Sequence, residues 1–166
     1  MTELEKSIAQ AVRGAKRIHQ AMMQNTILRN NLANSSLSDD DWRAVEHLTQ
    51  HSDEQDVQIF DVYALYGGVR ALLALARTLN SEVKPNLRSE LARPRGQISP
   101  ENRVVLEMTV TNLDHNVGQL VDCAGELYVA TGKLDEEQNG AEHMARADFP
   151  ELSDPKTWEV AGVTQQ

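Results

Sequence analysis

The chain has 166 residues, 40% of them hydrophobic but only 4% aromatic, with 25 acidic against 16 basic side chains and a net charge of −9. That length is enough for one domain with a real core, which leucine, valine, isoleucine and alanine must fill. The sign argues against nucleic acid as a direct ligand of the whole surface, and no run approaches the ~20 apolar residues of a membrane span. The amino-terminal residues carry no signal-peptide core. The lone Cys123 has no intrachain disulfide partner, so a reducing, cytoplasmic-type compartment is the expectation.

The net charge conceals alternation. Residues 1–30 balance at +3, residues 31–61 at −7, residues 62–100 at +4 and residues 101–166 at −9. Oppositely charged segments facing one another in a folded chain account for this pattern.

Thr2-Glu3-Leu4-Glu5 matches a capping box and opens a long helix. Leu4, Ile8, Ala11, Ala15, Ile18 and Met22 recur at spacings of four and three, one apolar seam, while Lys6, Arg13, Lys16 and Arg17 form a basic outer stripe. The pattern weakens through Asn25, Asn30 and Asn31, and the helix is expected to end near Asn34. Ser38 followed by Asp39, Asp40 and Asp41 is a strong helix start, a capping hydroxyl with acids at the positive helix end. A short helix then turns Trp42, Val45 and Leu48 inward.

A third helix is expected from about Ser52 to Asn80. Its apolar residues, from Val57 and Phe60 through Leu65, Leu72 and Leu79, cover most of its circumference, which marks a buried core helix. Gly67-Gly68 within it signals either a kink or a close neighbour. Residues 81–98, with Pro85, Pro94 and Gly96, break the helical pattern apart from one possible turn at Leu87–Leu91. They read as a long, mobile loop in which Lys84, Arg88, Arg93 and Arg95 form a candidate anion-binding group.

The strongest periodic run begins at Ser99-Pro100-Glu101. Leu106, Val110, Leu113, Val117, Leu120, Ala124 and Leu127 keep the 3.5-residue repeat of coiled coils and long bundles, and Gly132 is the expected C-cap. Val104, Val105 and Met108 lie off this seam. Beyond Gly132 the chain turns acidic and proline-bearing, with Trp158 as a lone aromatic anchor. The expected fold is therefore all-α: an antiparallel-type helical bundle of three long helices plus one short one, residues 1–133, with an irregular acidic tail over residues 134–166.

Chemistry is weakly signalled. His47 and His51 share a helical face, but no Glu-x-x-His pair accompanies them, and Glu142-His143 are adjacent rather than facing. Arg13 and His19 stand at a spacing used by some all-helical ribonucleases, yet Gly14 occupies the place of that motif's polar residue. His115 falls on the outer side of its helix, and Cys123 has no cation beside it in sequence to lower its pKa. No phosphate-binding glycine loop or hydrolase elbow is present. No cofactor and no metal are expected.

The function expected is noncatalytic: an adaptor or assembly subunit that buries helix faces against itself or a partner protein through Val104, Val105, Met108 and Trp158. One alternative is an acidic mimic of a nucleic-acid backbone, displayed by Asp39, Asp40, Asp41, Glu46, Asp53, Glu54 and Asp56. Another is a helical subunit of a nucleoprotein complex, touching phosphates through the 84–95 loop.

Overall fold

Threonine at position 2 shapes the first helix. In the computed structural model, which describes residues 2–50, 62–94 and 96–139, the Glu5 amide donates to Thr2 Oγ1 at 3.1 Å and opens α1, Glu3–Gln24. Ile8, Ala11, Ala15, Ile18 and Met22 are buried on its inner face, together with Ala9 and Val12. The helix does not continue to Asn34. Asn25 leaves helical geometry (φ −89°, ψ 107°), and its Oδ1 accepts from the Ile27 and Leu28 amides at 3.0 and 3.2 Å, capping a new helix, α2, Thr26–Ala33. Asparagine competes with the backbone for hydrogen bonds, and here that competition ends one helix and starts another.

The next helix, α3, spans Asp39–Gln50, with the Asp41 amide donating to Ser38 Oγ at 3.1 Å. The expected third-helix start near Ser52 lies outside the described residues. From there α4, Val62–Thr78, is buried over most of its circumference, as its composition predicts; Tyr63, Ala64, Gly67, Arg70 and Arg77 are its exposed residues.

Residues 81–91 depart from the expected mobile loop. A π-helical segment, Leu79–Val83, leads without a break into α5, Lys84–Leu91, and the Lys84 amide donates to the Leu79 carbonyl five residues back. Pro85 sits in the first turn of α5, where its missing amide costs nothing, so it starts a helix instead of breaking one. The Ser81 hydroxyl donates to the Arg77 carbonyl at 2.7 Å across the widened turn. The turn that follows contains Gly96 at φ +98°, a left-handed conformation that favours glycine.

The last described helix, α6, runs Pro100–Asn139, started by Ser99 Oγ accepting from the Asn102 amide at 3.2 Å. It passes through Gly132, so the expected C-cap there is corrected and the junction between residues 133 and 134 falls inside a helix. Downstream, Leu134 packs on the apolar core, a contact that works against the ~1 kcal/mol a mid-helix glycine costs and favours continuing the helix.

One apolar core joins these elements. The seam residues Leu106, Leu113, Val117, Leu120, Ala124 and Leu127 are all buried, with Val110 partly so. Against α6 pack α4, α1 and α5, while α3 lies on α1 and α4. Tyr66, near the start of α4, lies against Tyr128 in the later part of α6, ring centroids 5.9 Å apart, and Lys84 of α5 reaches Asp114 in its earlier part. Among the described residues there is no strand, and no helix is long and apolar enough to cross a membrane.

Candidate interaction surfaces

Helical geometry places Val104, Val105 and Met108 in two successive turns on the side of α6 away from its buried seam. They are 55%, 47% and 59% exposed, a contiguous apolar cluster that no described residue covers. Two other exposed apolar residues, Tyr63 and Val129, stand elsewhere; Val129 is roughly 30 Å further along the same helix. Trp158 lies outside the described residues.

The basic group is dispersed by its own helix. Lys84 is buried at 7% exposure, and its Nζ meets Asp114 Oδ1 of α6 at 2.6 Å, so this cation is neutralised inside the fold. Arg88 is exposed on α5, Arg93 pairs with Glu90 at 3.7 Å, and Arg95 lies outside the described residues. A residue that the sequence did not single out, Arg103, closes this end of the molecule. Its guanidinium donates to the carbonyls of Leu91 and Arg93 at 3.1 and 3.2 Å, fastening the end of α5 to α6.

On the acidic face, Asp39 and Asp40 are exposed while Asp41 and Glu46 are partly buried. The three aspartates occupy the first turn of α3, where they complement the positive helix end. Asp53, Glu54 and Asp56 lie outside the described residues.

His19 is held between α1 and α3, its ring 5.7 Å from that of Trp42, with Nε2 buried and without a hydrogen-bond partner. Burial pushes its pKa below 6.5, and Glu46 opposes that shift. Arg13 of the ribonuclease-like spacing is exposed and donates to the Ala9 carbonyl of its own helix at 3.3 Å. Between α1 and α6 runs a groove of about 480 Å³ in which Gln10, Arg17, Asn116 and Gln119 surround Cys123. Burial, then Glu126 and Asp122, push the Cys123 thiol up to about 11, against the pull of Arg17; the group is a poor nucleophile at neutral pH. Among the described residues no three His, Cys, Asp or Glu side chains converge as metal ligands; His51 and His143 lie outside them.

A second cavity, of about 310 Å³, opens between α2 and α3. Its residues include Arg29, Leu37 and Trp42, and the sequence held one overlooked sign of it: an apolar leucine inside an otherwise polar turn, Ser35-Ser36-Leu37-Ser38. Compared with protein-family models, with curated proteins and with solved structures, the chain matches none.

Proposed function

We propose that this protein is a noncatalytic, antiparallel-type helical bundle of the cytoplasm that acts as an assembly subunit or adaptor, using the outer face of α6 as its contact surface. The observation that supports this reading is the exposure of Val104, Val105 and Met108 together at the start of α6. Three neighbouring apolar side chains on an otherwise polar helix face are removed from water most simply by another protein surface. They are the anchor of a larger contact, because a stable interface buries about 1,200–2,000 Å² in all.

Light scattering on the eluted full chain, beside a Val104→Ser/Val105→Ser/Met108→Ser variant, tests the self-assembling form of this reading. A defined oligomer that the triple variant dissociates is the expected result. A monomer in both, or an oligomer indifferent to the substitutions, removes this surface from self-assembly.

The acidic-mimic alternative rests on the exposure of Asp39 and Asp40. It requires salt-sensitive binding to a basic protein that weakens when both are changed to asparagine. Lys84 is already paired with Asp114, which leaves the nucleoprotein alternative with fewer cations than the sequence offered it.

A further inference from the structure

The cavity between α2 and α3 is built from the core outward. Its floor is Leu32, Leu37 and Trp42, of which Leu32 is buried and the other two are partly buried against the apolar core. Its wall is the turn between the helices, and that turn is held in place. The Ser35 hydroxyl donates to the Leu32 carbonyl at 2.7 Å, the Leu37 amide donates to Ser35 Oγ at 3.3 Å, and the Ser36 amide donates to Glu82 Oε1 of the π segment at 3.0 Å. The Ser36 hydroxyl also donates to the Glu82 carboxylate. At the rim stand two exposed charged side chains of opposite sign, Arg29 of α2 and Asp39 of α3. Among the described residues no ion pair joins them or engages either one.

A cavity with an apolar floor and one cation and one anion at its mouth discriminates among ligands. A simple anion meets Asp39, a simple cation meets Arg29, and an uncharged apolar molecule leaves both charges unused. A small zwitterion with an apolar body satisfies all three features. The volume sets the size, since about 310 Å³ is at the low end of the ~300–1,000 Å³ typical of ligand pockets and suits one amino acid better than a nucleotide. We propose that this cavity binds a free amino acid with a large apolar side chain. The Arg29 guanidinium takes the α-carboxylate, for which its planar fork is suited. The Asp39 carboxylate takes the α-ammonium, and the side chain lies on Trp42, Leu32 and Leu37.

Trp42 makes the site observable, because a ligand seated on the indole changes its fluorescence. The test is a titration of the full-length protein with L-leucine and L-phenylalanine, followed by tryptophan emission and by calorimetry. A Trp158→Phe background isolates the Trp42 signal. Saturable binding is expected, weakened about tenfold or more in L-phenylalaninamide, which lacks the carboxylate, and in N-acetyl-L-phenylalanine, which lacks the ammonium. L-Alanine, lacking the apolar body, is expected to lose a similar factor. Arg29→Gln and Asp39→Asn are rim substitutions that leave the core intact, as circular dichroism would verify, and each should weaken L-phenylalanine about tenfold or more. Absence of saturable binding up to about 10 mM overturns the proposal. So do affinities indifferent to both substitutions, or amidated and acetylated analogues that bind as well as the free amino acid.

Discussion

His19 shows how a single residue takes its chemistry from what surrounds it. In sequence it is a polar residue beside the apolar seam of α1; in the fold its ring lies on Trp42 and its Nε2 is buried without a partner. The folded state therefore favours the neutral imidazole, and its pKa falls below 6.5. A histidine whose folded pKa is depressed contributes its full stability above the unfolded pKa. That stability is lost as the pH falls below about 6.5, because the unfolded chain then binds a proton that the folded chain refuses. Urea unfolding at about pH 7.5 and about pH 5.5 should show a larger loss for the native chain than for His19→Gln. Equal losses in the two proteins would mean that His19 titrates alike in both states. Lys84 makes the same point from the other side: a lysine counted among exposed cations is buried and spent on Asp114.

At the scale of helices, the glycine pair in α4 separates local preference from packing. Gly68 is buried where α3 crosses, and a Cβ there would lie 3.0 and 3.1 Å from the two terminal methyls of Leu48. A Cβ on Gly67 would meet nothing within 4 Å. The helix runs through both, so Gly68 marks the close approach of a neighbour and Gly67 does not, a choice the sequence left open. Gly67→Ala is expected to stabilise the protein by roughly 0.5–1 kcal/mol, the ordinary helix-propensity gain. At Gly68 the same gain is offset by overpacking against Leu48, of the order of 1–3 kcal/mol. Chemical denaturation should therefore rank Gly68→Ala below Gly67→Ala by about 1 kcal/mol or more; equal midpoints would remove the close approach of Leu48 as the reason for Gly68. Asn25 and Pro85 carry a related lesson about boundaries. Pro85 was legible as an interruption and Asn25 only as a weakening of the pattern, and whether such a residue ends a helix, caps the next or begins one depends on where the flanking segments pack.

For the molecule as a whole, burial divides the first turns of α6 into a buried face and an exposed one. Leu113 is fully buried on the seam, whereas Met108, little more than a turn away, is 59% exposed. Leu113→Ala should cost about 2–5 kcal/mol, the usual price of a core cavity, while Met108→Ser should stay within about 0.5 kcal/mol in the unassociated chain. Thermal or urea unfolding at low protein concentration checks both, and a large loss from Met108→Ser would mean that the off-seam face belongs to the core.

The helical class, the buried seams, the burial of α4 and the starts at Thr2, Ser38 and Ser99 were all readable in advance. Each is a matter of neighbours within a turn or two: a 3.5-residue apolar repeat, or a hydroxyl three residues before an amide. Other features lie beyond such reading, namely the fate of Lys84, the clasp of Arg103 on the end of α5, the passage of α6 through Gly132 and the meeting of Arg29, Leu37 and Trp42 at one cavity. These depend on side chains brought together from distant parts of the chain. Their free energy is set by burial and by the partners that happen to face them, and neither quantity is a property of a local stretch of sequence.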